Sequence, residues 1–387
     1  MNRLRYAILI GLVLGQVLWA LPGRAQQATP SPPAEGAKKA QIEVCFVLDT
    51  TGSMSGLIEG AKLKIWSIAN DIVRAKPTPD LRLGLIGYRD RGDEYITRVY
   101  DLSDDIDAIY GHLKDFKAGG GGDEPESVNQ ALTEAVNKMS WNPSREVLKI
   151  IFLVGDAPPH MDYRDDVKFQ ETCKNAVEKD LIINTVQCGV NTRTTPVWQE
   201  IAKLSEGSFV QIGQTGDMVA VATPYDKDLA EVHREMEATV VPYGSAETQI
   251  KVRAKVASGV AAPAPAAADR AVYMAKGGKG KVVTGEGELL DALESGRVNL
   301  KDLKEEQLPE ELKKLKPEQR EALIQEKQGK RKELQKRAAE LVKQRDAYLD
   351  AERRKQADAG NRDAFDAKVG EMIREQAKRK GMEYGGK

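Results

Sequence analysis

The sequence predicts a doubly wound α/β fold, a mostly parallel six-stranded sheet with helices on both faces, followed by a C-terminal helical extension. Three observations predict it. An apolar run, residues 42–48 with only Glu43 breaking it, ends abruptly in Asp49-Thr50-Thr51-Gly52-Ser53 and leads at once into a helix-compatible segment, residues 56–75. From residue 41 to residue 237, strand-like and helix-like segments alternate, which is the pattern of βαβ units. An acid and two hydroxyls at alternate positions (Asp49, Thr51, Ser53) close the first strand, and ligands in such folds gather at the carboxyl ends of the strands.

The elements follow in order. Strand 41–49 and helix 56–75 precede an apolar strand at 81–88, a polar turn at 89–94 and a short strand at 97–102. The close spacing of the last two strands predicts a hairpin, hence an antiparallel edge. A helix over 104–117 leads into the glycine run Gly119 to Gly122, and Pro125 opens a helix running to Met139. The most apolar strand, 147–154, ends in Gly155-Asp156-Ala157-Pro158-Pro159-His160. Helix 165–179, strand 181–189, helix 196–204, strand 208–212 and helix 216–237 complete a domain over residues 41–240.

Beyond it, 248–256 reads as one further strand and 257–268 as an Ala/Pro linker, so that 241–268 joins the domain to a charged helical region over 269–387. That region holds short helices at 288–294 and 309–315 and one long helix at 317–357. Leu334, Leu341 and Tyr348 lie seven apart on it, a seam of about two heptads. A last helix, 365–380, shows Phe365, Val369, Met372, Ile373 and Ala377 on one face and stops at Gly381. The two helices read as a packed hairpin in preference to an oligomerising coiled coil.

Composition narrows the function. A net charge of −1 over 387 residues excludes a global field directed at nucleic acid or an anionic membrane. The Lys/Arg clusters of the last third are interleaved with acids and read as a solvated face. Arg3 and Arg5, the apolar residues 6–21 and the small-residue segment Gly23-Arg24-Ala25 have the form of a Sec signal peptide. The apolar stretch is shorter than the ~20 residues of a spanning helix. A mature protein that is periplasmic or secreted is therefore expected, with 26–40 as a flexible lead-in. Cys45, Cys173 and Cys188 are odd in number. With one strand between them, Cys45 and Cys188 would lie about 9–10 Å apart, beyond disulfide reach. Buried free thiols are expected.

The motif Asp49-Thr50-Thr51-Gly52-Ser53, the alternation over 41–237 and a second acid, Asp156, just past the central strand together resemble a von Willebrand factor type A domain with its metal-ion-dependent adhesion motif, Asp-x-Ser/Thr-x-Ser. The resemblance covers about half the chain. It implies that Thr51 and Ser53 bind a divalent cation (Mg²⁺, Mn²⁺ or Ca²⁺) directly, that Asp49 and Asp156 hold it mainly through water, and that an acidic residue of a protein partner completes its shell. Neutral direct ligands leave the ion most of its charge. The family commonly adds a threonine from a glycine-rich loop. Here the loop is Gly119-Gly120-Gly121-Gly122-Asp123-Glu124-Pro125-Glu126, without a hydroxyl. Asp123 is the first stand-in, directly or through water, and Glu126 the second, unless Asp123 only caps the next helix. Tyr88, Asp90, Glu126 and His160 are placed on the partner-binding rim of the same surface. Arg91-Gly92-Asp93 reads as a coincidental adhesion tripeptide. The expected function is an exported, non-enzymatic, metal-dependent binding module. Two other readings remain open, a metal-dependent hydrolase and an assembly factor for an ATPase complex.

Overall fold

A computed structural model describes residues 40–216, 218, 222–358 and 365–384. The signal and most of the lead-in expected at 1–40 lie outside them. No helix among the described residues is long and apolar enough to cross a membrane.

The chain opens with β1 (Gln41–Asp49) and α1 (Ser55–Ile72), then β2 (Ala75–Lys76), β3 (Asp80–Tyr88) and β4 (Thr97–Ser103). Next come α2 (Ile106–Asp115), α3 (Val128–Asn137), β5 (Leu148–Gly155), α4 (Phe169–Glu178), β6 (Leu181–Cys188), α5 (Thr194–Leu204) and β7 (Phe209–Ile212). The main sheet runs β4-β3-β1-β5-β6-β7. All its pairs are parallel except the β3–β4 hairpin, as the short spacing between those strands requires.

The apolar content of β1 and β5 follows from burial on both faces. Val44, Phe46 and Leu48 of β1 pack with α1 and α2, while Cys45 and Val47 point the other way into α3, α4 and α5. Winding turns back between β1 and β5, so the crevice above their carboxyl ends is the topological switch point of the sheet. Cys45, Cys173 and Cys188 are buried and form no disulfide, with β5 lying between the strands that carry Cys45 and Cys188.

After β7 come α6 (Asp226–Glu237), α7 (Ala246–Val260) and α8 (Ala264–Ala275). The segment read as a strand at 248–256 is thus the body of a helix. Its β-branched residues mimic a period of two, but Ile250 is 64% exposed and Val252 is buried. Ser245 caps the helix by accepting from the Thr248 amide. The Ala/Pro segment read as a linker is the end of α7, a three-residue turn and the start of α8. Pro263 and Pro265 sit where a helix start tolerates proline, and Ala266, Ala268 and Ala271 are buried, because small side chains permit close approach between helices. Tyr273 of α8 and Tyr110 of α2 both pack on Trp66 of α1, with ring centroids 5.5 and 5.8 Å away.

The remaining elements are α9 (Leu289–Glu294), α10 (Glu310–Lys313), α11 (Pro317–Asp358), α12 (Phe365–Lys378) and β8 (Glu383–Tyr384). The expected hairpin of the last two helices is not what forms. The seam of α11 is spent inside the molecule: Leu334 and Leu341, with Ala338 between them, pack against residues of α6, α7 and α8, and Tyr348 meets Tyr225 at 6.4 Å between ring centroids. It is therefore not presented as a coiled coil. Helix α12 packs beside α1 on the main sheet, where Phe365 meets Phe46 at 6.4 Å between centroids. A buried amide pair, Asn184 with Gln376, joins it to β6 at 3.1 and 2.8 Å. Strand β8 then pairs with β2. A helix far along the chain therefore completes one layer of the N-terminal sheet.

Candidate metal centre

Strands β1, β5 and β3 end side by side, with Asp49 opposite Tyr88 and Leu48 opposite Val154. The loops that follow all emerge at this one edge. Asp49 is fully buried. Its Oδ1 accepts hydrogen bonds from the Thr51 amide (2.8 Å) and the Thr51 hydroxyl (2.6 Å), and the Ser53 hydroxyl lies 3.4 Å from that of Thr51. Thr50 turns away, donating to the Tyr88 carbonyl at 2.8 Å and touching the Tyr95 hydroxyl at 2.7 Å. That contact anchors the loop and leaves the alternate positions for ligation.

Glycine at the end of β5 is a packing requirement. A Cβ on Gly155 would stand 2.5 Å from the Tyr88 hydroxyl and 2.9 Å from the Asp49 Cβ. Asp156, the next residue, accepts from the Gln214 side chain at 2.7 Å, while its carbonyl accepts from the Thr194 hydroxyl at 3.0 Å. The motif residues and the second acid therefore meet at the switch point.

The glycine loop divides its two acids. Glu126 is 3% exposed and is stitched to the loop after β5, its amide donating to the Pro158 carbonyl (2.9 Å) and its carbonyl accepting from the His160 amide (3.1 Å). From there its Oε1 and the Thr51 side chain face the same point above Gly121, 3.6 and 3.4 Å from where a Cβ would be. Gly120 and Gly121 have φ of +77° and +84°, which residues with a Cβ rarely adopt. The Asp93 carboxylate accepts from the Gly121 amide (3.2 Å) and fills the space beside Gly120. Asp123 goes elsewhere. It is exposed and sits 3.7 Å from His160 Nε2, which lies 3.4 Å from Asp90. Glu126, the second choice from sequence, is thus the loop acid beside Asp49, and the three donors of Asp90, Asp123 and His160 form their own group within 4.8 Å.

Electrostatics set the Asp49 centre apart from an ordinary polar cluster. Burial, reinforced by Asp156 and only partly offset by Thr51, pushes Asp49 up to about 7. Burial and then Asp49, Asp90, Asp93 and Asp156 push Glu126 up to about 9. Burial, followed by Asp49, raises Tyr88 well above the usual phenol range. Asp49 Oδ2, Glu126 Oε2 and the Tyr88 hydroxyl are all buried without a hydrogen-bond partner. Orphaned buried oxygens are rare and costly. An oxygen-only set of this sign suits a hard divalent cation. Glu126→Gln is expected to stabilise the metal-free protein by about 1–2 kcal/mol, by removing a buried acid from a field of like charge, while weakening cation binding. Thermal melts with and without Mg²⁺ read both effects.

Sequence reasoning missed Gln214, Asp93 and Tyr163. The first two are single polar residues in loops, and no local pattern marks where they fold. The tripeptide Arg91-Gly92-Asp93 is occupied internally. Arg91 pairs with Asp165 (3.0 Å) and Asp166 (2.7 Å), and Asp93 holds loop amides.

Residues 43–216 match the model of the von Willebrand factor A domain family. Among curated proteins, a putative ariadne-like RING finger protein of Acanthamoeba polyphaga mimivirus is 24% identical over 149 residues, 38% of this chain and 14% of that protein. An alpha-protein kinase of Dictyostelium discoideum is 27% identical over 121 residues, 31% of this chain and 19% of that protein. The chain thus spans less than a fifth of either relative. Similar solved structures include the SpRpn10 VWA domain, with a TM-score of 0.36 and 13% identity over 46% of this chain and 91% of that one. Proximal thread matrix protein 1 of the mussel byssus scores 0.36 with 14% identity, covering 46% of this chain and 42% of that one.

Proposed function

We propose that this chain is an exported, metal-dependent protein-binding module that uses the Asp49 centre to engage an acidic residue of its partner. One observation carries the reading: three buried oxygens, of Asp49 and Tyr88 at the carboxyl ends of β1 and β3 and of Glu126 in the glycine loop, have no hydrogen-bond partner. Thr51, Ser53, Asp49, Asp156 and Glu126 would hold a divalent cation (Mg²⁺, Mn²⁺ or Ca²⁺), which supplies a positive charge for a partner carboxylate. Unlike an all-neutral direct set, the Glu126 carboxylate tempers that charge, favouring retention of the ion over tight capture of the partner. Ser53 and Gln214 are exposed at the centre, so a partner can reach it.

Binding, in preference to catalysis, is supported by where the histidines sit. His112 stacks on Tyr100, His233 is buried against Arg270, and His160 faces carboxylates. Export rests on the basic, apolar and small-residue pattern of residues 1–25. Calorimetric titration of Mg²⁺, Mn²⁺ and Ca²⁺ tests the centre. The wild type is expected to bind at least one of them and Asp49→Ala to lose that binding. Binding that survives in Asp49→Ala contradicts the reading.

A further inference from the structure

We propose that Asp90, Asp123 and His160 form a second cation site, separate from the Asp49 centre and suited to a borderline transition ion of the Zn²⁺ class. The donor set differs in kind from the first. It includes an imidazole nitrogen, which Zn²⁺ and its neighbours favour and Mg²⁺ and Ca²⁺ do not.

The spacing fits. His160 Nε2 lies 3.4 Å from Asp90 Oδ2 and 3.7 Å from Asp123 Oδ2. Ligand atoms about 2.0–2.1 Å from a tetrahedral ion stand roughly 3.3 Å apart. Asp123 is 64% exposed, so its side chain can close the remaining gap.

The orientation of His160 is the second, independent observation. The residue is 6% exposed, and its Nε2 is buried with no hydrogen-bond partner. Nδ1 lies 2.8 Å from Asp162 Oδ1. An ionised carboxylate only accepts, so Nδ1 donates there, and Nε2 is the ring nitrogen left facing the two further carboxylates. A carboxylate behind a histidine that faces a cation is the usual outer support of such sites. The rest of the support is in place. The Tyr163 ring stacks on the imidazole at 4.0 Å between centroids, and its hydroxyl donates to Asp90 Oδ2 at 2.8 Å. Ser127 donates to Asp90 Oδ1 at 2.8 Å. Three protein ligands, one of them exposed, leave a position open to water or a partner group.

The test uses the full chain in excess Mg²⁺, with Zn²⁺ as the titrant followed by calorimetry and Co²⁺ as a spectroscopic probe. One Zn²⁺ site is expected beside saturating Mg²⁺. His160→Gln and Asp123→Asn are each expected to weaken it by more than roughly a hundredfold, and Asp162→Asn by roughly 10–100-fold. Asp49→Ala is expected to lose Mg²⁺ binding and keep the Zn²⁺ site, so failure of one centre is told from failure of the other. Co²⁺ is expected to give visible absorption bands of a low-coordinate ion that His160→Gln abolishes. Metal-free melts establish that each variant is folded. Absence of Zn²⁺ binding in the wild type overturns the proposal and leaves the contacts of His160 with its acids as internal packing of the loop after β5. Zn²⁺ binding unchanged in folded His160→Gln, or lost only in Asp49→Ala, overturns it equally.

Discussion

A chain ending at residue 358 is expected to lose its cooperative fold. The sequence beyond that point contains α12, which fills a layer of the main sheet in place of a tethered appendage. Phe365, Val369, Met372 and Ile373 are each at most 4% exposed. At about 1.5–3 kcal/mol apiece for full burial, they contribute about 6–12 kcal/mol, comparable with the whole stability of a typical domain, about 5–15 kcal/mol. Truncation also leaves the Asn184 amide buried without Gln376 and bares Phe46. Expression of residues 1–358 is expected to give insoluble protein, or soluble protein with no sharp unfolding transition in urea. A truncated chain that melts like the full one would show that α12 is dispensable and its packing incidental.

Arg270→Met is expected to cost about 3–5 kcal/mol, because removing one member of a buried ionic cluster strands the others. Arg270 is 1% exposed. Its guanidinium donates to Asp107 Oδ1 at 2.7 Å, Glu237 Oε1 at 2.8 Å and the Val282 carbonyl at 3.1 Å. His233 Nε2 accepts from it at 2.8 Å. That geometry needs a neutral imidazole, and burial together with Arg270 holds His233 down at about 3. Burial pushes Glu237 up to about 7 even with Arg270 beside it. The cluster ties α6 and α8 to α2, so it fastens the helical extension to the sheet-bearing part of the chain. Adding Asp107→Asn and Glu237→Gln to Arg270→Met is expected to recover part of the loss. A change below about 1 kcal/mol on urea denaturation of Arg270→Met would mean that the cluster is solvated or replaceable.

Much of the fold was legible because its signals are local. The runs that became β1 and β5 are apolar on both faces, and only a sheet covered twice explains that. The 3.6-residue spacing of Phe365, Val369, Met372 and Ile373 announced a buried helix face but not its partner. The surface it covers belongs to β1, β5, β6 and α1, far away in sequence. Helix α7 was misread because Thr248, Ile250 and Val252 satisfy a strand period, whereas the Ser245 cap and the burial of Val252 but not Ile250 settle the matter in three dimensions.

The site divides along the same line. Asp49 ends β1 with Thr51 and Ser53 in the loop that follows, and Asp156 comes directly after the neighbouring strand, so their convergence follows from the alternation alone. Which acid of the glycine loop turns inward does not. It depends on the positive φ angles at Gly120 and Gly121, on Asp93 filling the space beside them, and on the stitch between Glu126 and Pro158. Those non-local contacts send Glu126 to Asp49 and leave Asp123 with Asp90 and His160.

The most direct test of the central claim is anomalous diffraction from crystals of the protein grown with Mn²⁺. An anomalous peak enclosed by the side-chain oxygens of Asp49, Thr51, Ser53, Glu126 and Asp156 is expected, absent from crystals of Asp49→Ala. Crystals with no peak there, or with manganese only between Asp90, Asp123 and His160, would contradict it.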